Sequence, residues 1–469
     1  MKKLLLIILA AVTALTLAAC TAATTVSTTS ATTTETSTTA TTGAPFVYAP
    51  IEVSEAVLEE ARLSFDFFWE AVNGTPGSDG YGMVTDRYNV DASTMGNASI
   101  AAVGYGLAAM PIGIENDWIS YQEGYDRVLG TLTTMRDMQR THGFFYHFVS
   151  MTTARRSGTS EVSIIDTAIL ICGAIVAAEY FGGAIETLAY EIYDAIEWDW
   201  YYDDARDMFY MGYSPESGFG DYWDHIAEQL MLYVLAAGSS THPVGKEAYD
   251  KAKSQTQRKK YGSSDYFYVS YPGTLFTYQF SHAWIDFSLI RDADGYDWFD
   301  NSVQAGIAAY DYAQQLVPFY KTYGTAAWGN AASDGPNNTY FAYGNLPAGG
   351  TPKVDGTLAP YGATAMIVFT PDLSTAAAEH YAAIVPLQSK YGFRDAYNLG
   401  VQPGVPAATP RPNPEVGASG WFCDWVLGID KGITLMMIED YRSGLVWHFF
   451  MQSDVVQDGL DELGFTAAP

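Results

Sequence analysis

Residues 98–110 are apolar on nearly every side of a helical wheel. A helix with no polar face must be enclosed by other protein on all sides, and the inner wall of a ring of helices is such a place. Helical periodicity recurs at 52–71, 121–138, 164–181, 184–198, 227–237, 299–316 and 374–391. In the first of these, Val57, Ala61, Phe65, Phe68 and Trp69 share one face. The intervening segments 73–97, 203–223, 266–282 and 324–360 are long and rich in Gly, Asp, Asn, Ser and aromatic residues. Connections of that length are uncommon unless they carry function. The pattern predicts helical hairpins joined by functional loops gathered at one end of a ring. A generic all-α protein with long surface loops fits the same periodicity. Short β segments are expected at 143–149, 208–212 and 433–437.

The first residues have a different character. Lys2 and Lys3 precede an apolar run relieved only by threonines, which closes on Leu17-Ala18-Ala19-Cys20. The run is short for a membrane-spanning helix and ends in small residues, so 1–20 reads as a secretion signal. It resembles the lipobox of bacterial lipoproteins, which implies acylation at Cys20; an ordinary signal peptide cut near Ala19 is the alternative. From Thr21 to Thr42, 16 of 22 positions are Thr or Ser, too little apolar surface to offset chain entropy. Residues 21–48 are therefore expected to be a disordered spacer, and 49–469 one catalytic domain. The expected location is the outer face of a bacterial membrane or the periplasm, with the lipid anchor as the only membrane contact and a monomeric state.

Charge and composition narrow the partners. A formal net charge of −29 argues against nucleic acid and anionic lipid surfaces, and is compatible with a neutral ligand such as a sugar. Aromatic residues make up 14% of the chain, and sugar rings bind by laying their C–H faces on aromatic rings. Cys172 and Cys423 have no CxxC neighbour, so both are expected as buried thiols, with no disulfide framework and no zinc site. His142 and His147 lie five apart without a nearby third ligand. No Walker loop, GxSxG elbow or HExxH motif is present, and neither a metal nor a cofactor is expected.

Several ordered blocks together resemble the bacterial glucoamylase-like domain, whose relatives include β-1,2-glucanases and the glycosyl-transfer module of cyclic β-1,2-glucan synthases. They include Ala98-Ser99-Ile100, Gly143-Phe144-Phe145-Tyr146-His147, Glu161-Val162-Ser163-Ile164-Ile165-Asp166, the stretch 223–228, Ser281-His282-Ala283-Trp284, Ser333-Asp334-Gly335-Pro336, Gly392-Phe393-Arg394-Asp395, Asp424-Trp425 through Asp430, and Glu439-Asp440-Tyr441-Arg442. The resemblance covers about 65–447 in unbroken order. It implies an all-α (α/α)6 barrel, a six-hairpin helical toroid with long loops and minor β segments, acting on a glucan polysaccharide or oligosaccharide. It also implies an inverting reaction in which a proton passes through water.

Cleaving a glycosidic bond needs a proton donor for the leaving oxygen and a second carboxylate. Glu228 is the first candidate for the acid. It stands beside Trp223 at the mouth of an apolar helix and matches the position of the acid in the related β-1,2-glucanases. A helix N-terminus favours the charged carboxylate, so apolar neighbours must outweigh it; a capping role is the alternative. Glu161 and Asp166 straddle the start of the helix near Ser163, which replaces an acid found in the related endo-enzymes; Asp166 can equally be a cap. Asp424, between Trp421 and Trp425, is the candidate base or a link in the water chain leading to it, with Asp286 and Asp334 as alternatives.

Trp223, Trp284, Trp328 and Trp421 are candidate sugar platforms, with core packing as the alternative. Arg394 and Arg442 could bond sugar hydroxyls or hold loops. His282, Asp286 and Asp334 complete the binding candidates, and Asp334 also suits a turn. The expected activity is hydrolysis of a β-glucan, most simply β-1,2-linked. A transglycosylase using the same residues, or a non-catalytic glycan-binding lipoprotein, are the rival readings.

Overall fold

The computed structural model describes residues 46–405 and 416–469; the signal, lipobox Cys20 and most of the spacer lie outside the described residues. Helices alternate between two kinds. α1 (Glu55–Glu70), α3 (Tyr121–Asp137), α5 (Gly183–Asp194), α7 (Glu247–Gln255), α8 (Trp298–Leu316) and α10 (Pro371–Ala382) each bury one side only. α2 (Ile100–Glu115), α4 (Ile164–Phe181), α6 (Leu230–Ala237), a 3-10 turn over Phe280–Ala283, α9 (Pro360–Thr364) and α11 (Gly428–Ser443) are buried almost throughout. In chain order each one-sided helix is followed by an enclosed element, which makes six hairpins. α2 packs on α4 and α11, α4 on α6, and α11 on α9 and the 3-10 turn. The enclosed elements therefore form the inner wall of an (α/α)6 toroid, within the compact unit Val47–Pro469. α12 (Leu445–Phe450) and α13 (Asp454–Glu462) follow, the latter packed on α6.

Local chemistry sets where the helices begin. Ser120 and Glu123 form a reciprocal capping box on α3. The hydroxyls of Ser99 and Ser163 accept from the Ala102 and Asp166 amides at the starts of α2 and α4. α10 stops at Ala382 instead of continuing to 391, because Pro386 cannot carry a helix and restricts Val385. α4 has the length and apolarity of a membrane-crossing segment, but it is packed inside the protein.

Two glycines let the innermost helices meet. A Cβ on Gly173 of α4 would lie 1.9 Å from the Gly104 carbonyl oxygen of α2, and one on Gly104 would lie 2.5 Å from the Ile169 oxygen.

The β segments expected at 143–149 and 208–212 are present as short strands. Strand Ala98–Ser99 pairs with Phe148–Val149, and Val162–Ser163 with Gly212–Tyr213. These pairings tie loops to the mouths of α2 and α4. The strand expected at 433–437 is wrong: Ile433 to Met437 lie in the middle of α11. A helix enclosed on all sides needs no polar face, so the apolar run there carries no helical period to read.

Candidate active site

The chain enters α6 through 224–229, a loop held from several sides. The Gln229 side chain accepts from the Ala227 amide (2.8 Å) and donates to the His225 carbonyl (2.7 Å) and the Tyr233 hydroxyl (3.1 Å). The Ile226 amide donates to Thr256 Oγ1 at 2.7 Å. Ser281 Oγ, from the inner 3-10 turn, donates to the Glu228 carbonyl at 2.5 Å. With its backbone immobilised, Glu228 places its half-buried side chain in the wall of a cavity of about 710 Å³. Tyr222, Trp223, Met211, Tyr271 and Phe276 line the same cavity. Burial, reinforced by the charge of Asp166, pushes the Glu228 carboxyl up to about 7. The apolar surroundings thus outweigh the helix terminus, and Glu228 can hold a proton near neutrality.

Asp166 sits in the first turn of α4, buried, with Ser163 Oγ donating to its carboxylate at 2.5 Å. His147 lies between the two acids of this stretch: Nδ1 is 2.7 Å from Glu161 Oε1, and Nε2 is 3.6 Å from Asp166 Oδ1. Burial by itself would lower the imidazole, but the charges of Asp166, Glu161 and Asp86 outweigh it and push it up to about 9. The hydrogen bond from His147 holds Glu161 below the usual carboxylate range. His147 also bonds through its backbone, its amide to the Glu161 carbonyl and its carbonyl to the Ile100 amide.

A second acidic group forms around Asp334, which is buried and ion-paired with Arg87 at 3.1 Å. Arg87 also holds Asp86 at 3.0 Å. The Asp334 amide donates to Asp395 at 2.8 Å. Burial pushes Asp395 up to about 7, with the charge of Asp334 adding to it. Burial and Asp395 together hold Asp430 well above the carboxylate range. Asp334, Asp395 and Cys423 bring ligand-type atoms within 4.8 Å of one another, and Arg87 is the cation that Asp334 faces. Cys172 and Cys423 are both buried, as expected, and burial holds their thiols up.

Other candidates stand elsewhere. Asp424 is exposed, beside Asp91, which is paired with Arg394 at 2.8 Å. Arg394 also donates to the Cys423 carbonyl, so it holds this loop. Trp421 is half-buried in a two-residue strand paired with Tyr397–Asn398. Asp286 turns back on Ser288, accepting from its amide and hydroxyl.

Four binding expectations are corrected by burial. Trp284 and Trp328 are 0% exposed; Trp284 stacks on Tyr105 and Trp328 donates to the Leu373 carbonyl. His282 is enclosed against Ser302 Oγ (2.9 Å), and burial pushes it down to about 3. Arg442 is buried against Glu439 and Asn116 in the last turn of α11, about 20 Å along that helix from its mouth at Gly428. A second cavity, of about 660 Å³, lies among Gly77, Asp79, Thr133, Asp137, Gln139 and Arg155 and contains none of the candidate carboxylates.

Arg87, Asp395 and Asp430 carry no sequence expectation, and His147 only that of a weak metal ligand. All but Arg87 lie inside the blocks that carry the family resemblance, which was their available signal. Tyr271 had only its place in an aromatic-rich loop.

A six-hairpin toroid whose inner helix mouths carry these carboxylates defines the (α/α)6 class. The family model Glycoamylase, described as "Putative glucoamylase", matches residues 221–454. Residues 221–454 belong to this glucoamylase-like family. It is 26% identical over 443 residues to the exo β-1,2-glucooligosaccharide sophorohydrolase (non-reducing end) of Parabacteroides distasonis, over 86% of this chain and 57% of that protein. The chain thus spans little more than half the length of that curated relative. It is similar in fold to the endo-β-1,2-glucanase of Chitinophaga pinensis solved with sophorotriose and glucose (TM-score 0.76, 24% identity, 89% of this chain and 99% of that one). The β-1,2-glucanase of P. distasonis is similarly related (TM-score 0.74, 23% identity, 88% and 60%).

Proposed function

We propose that this protein is a glycoside hydrolase that cleaves β-1,2-linked glucan or its oligosaccharides with inversion, with Glu228 as the general acid. The observation that carries the reading is a Glu228 carboxyl in the wall of a roomy aromatic cavity, pushed up to about 7 by burial with the charge of Asp166 adding to it. Family membership and the names of the relatives support the substrate class. In the reaction, Glu228 gives its proton to the glycosidic oxygen as the C1–O bond breaks. Water forms the new bond at C1 from the opposite face and loses its proton to a carboxylate. We assign that carboxylate to Asp166, and place Asp424 as a rim residue on the water path. Export and lipid anchoring at Cys20 belong to the same proposal and rest on the lipobox pattern.

The test is incubation of residues 45–469 with β-1,2-, β-1,3-, β-1,4- and α-linked glucans, following reducing ends and product anomers, with Glu228→Gln in parallel. β-1,2-Glucan cleavage that falls at least about a thousandfold in the variant supports both reaction and acid. Activity surviving in the variant removes Glu228 from its role. Binding without cleavage identifies a glycan-binding protein, and products longer than the substrate identify a transglycosylase.

A further inference from the structure

The cavity beside Glu228 has one wall the reaction itself does not use. Tyr271 contributes it, and its side chain is unusual in being aromatic yet 68% exposed. The residue is not loosely placed. The Gly349 amide donates to the Ser270 carbonyl (3.0 Å) and the Gly350 amide to the Tyr271 carbonyl (2.8 Å). The glycine pair lies against the tyrosine. A Cβ on Gly350 would come 2.9 Å from Tyr271 Cζ, and one on Gly349 would come 2.9 Å from Tyr271 Cα. The chain therefore backs the ring with bare glycine and leaves the rest of it open.

The rest of the lining suits a neutral, hydroxyl-rich ligand. Tyr222 is held by donation to Asp203 (2.9 Å), with the Arg206 guanidinium 4.9 Å over its ring. Arg206, Asp221, Asp224 and Gln255 offer donors and acceptors of both signs around the apolar surface. An anionic ligand would meet the two aspartates, and a purely apolar one would leave these polar groups unpaired. A sugar presents C–H faces for the ring and hydroxyls for the rim.

We propose that Tyr271 is a stacking platform for a glucosyl residue adjoining the scissile bond, in a subsite built between the Gly349–Gly350 backing and the Tyr222 wall. This rests on the glycoside hydrolase reading and adds where the substrate is held. A rigid exposed ring loses little freedom on binding, so its contribution is to affinity more than to proton transfer.

The experiment measures binding of β-1,2-linked gluco-oligosaccharides by calorimetry in the Glu228→Gln background, where turnover does not intrude. Adding Tyr271→Ala is expected to weaken binding at least tenfold, with the melting temperature unchanged because the ring is exposed. Tyr271→Phe keeps the ring and should keep most of the affinity. Gly350→Ala, which displaces the ring without altering it, should reproduce much of the loss. In the otherwise unmodified enzyme, Tyr271→Ala should raise KM far more than it lowers kcat. Unchanged affinity in Tyr271→Ala overturns the platform while leaving the hydrolase intact. Failure of the Glu228→Gln protein to bind any of these oligosaccharides, with no cleavage by the parent, overturns the hydrolase reading and the platform together.

Discussion

Ser281 Oγ donates to the Glu228 carbonyl oxygen at 2.5 Å, and the same hydroxyl accepts from the Met231 amide at 3.0 Å. One side chain from the fourth inner element thus locks the residue that carries the candidate acid and the first turn of the third inner helix. Ser281→Ala should lower kcat about tenfold through misplacement of Glu228, with a stability loss of about 1 kcal/mol, typical for one hydrogen bond. Steady-state kinetics beside thermal unfolding check this; a large loss of stability with kcat unchanged would refute the positioning role.

The protonation of Glu228 makes activity and stability fall together as pH rises. Its folded pKa, about 7, lies above the ordinary 4.5. The acid form is therefore present below about pH 7, and kcat should fall above it. A raised folded pKa contributes stability below the unfolded pKa that is lost as pH rises through the folded one. The cost at pH 8 is on the order of 2–3 kcal/mol. Glu228→Gln should therefore melt higher than the parent at pH 8, and the gap should close at pH 4. Unfolding curves at the two pH values decide it.

His147 should behave with the other charge sign over a higher window. It is raised from 6.5 to about 9, so the stability it contributes is present below about pH 6.5 and disappears as pH rises through about 9. His147→Gln should be less stable than the parent at pH 6, by on the order of 2–3 kcal/mol, and nearly equal to it above pH 9. A deficit that does not change with pH would show that packing, not charge, is what His147 supplies.

Asp166 and Asp424 stand in different surroundings, one buried against Ser163 and the other exposed beside Asp91. Asp166→Asn is expected to cost at least a hundredfold in kcat, and Asp424→Asn less than tenfold. The reverse order would move the base to the rim.

Gly173 faces the Gly104 carbonyl with no room for a methyl group, the ideal Cβ falling 1.9 Å from that oxygen. Gly173→Ala must push α4 from α2 and should destabilise the fold by about 1–3 kcal/mol. Denaturant unfolding measures it, with no direct effect expected on the cavity beside Glu228.

The predicted helices at 121–138 and 164–181 match α3 and α4 closely because caps and periodicity agree there. α7, α9, α11, α12 and α13 carry no helical expectation: α9 and α12 are only five and six residues long, too short for a period to emerge, and enclosed α11 has no polar face. Glu228, Glu161 and Asp166 stand out as candidates in the sequence because each sits near a helix start inside a distinctive block. Trp284, Trp328 and His282 misled for a physical reason. They belong to family blocks or aromatic-rich loops, and composition cannot distinguish a ring facing a cleft from one packed beneath it. The expected export signal and lipid anchor lie outside the described residues.

By itself, the sequence determined that several helices must be enclosed, because they lack a polar face; its family blocks implied the ring, and it supplied the acids near the helix starts. Only the tertiary structure decided which carboxyl is raised by burial and which aromatic ring is left exposed. Both depend on contacts between residues far apart in the chain: Ser281 on Glu228, His147 between Glu161 and Asp166, and Gly350 behind Tyr271. Burial and charge act through space, and no local pattern of residue types encodes those distances.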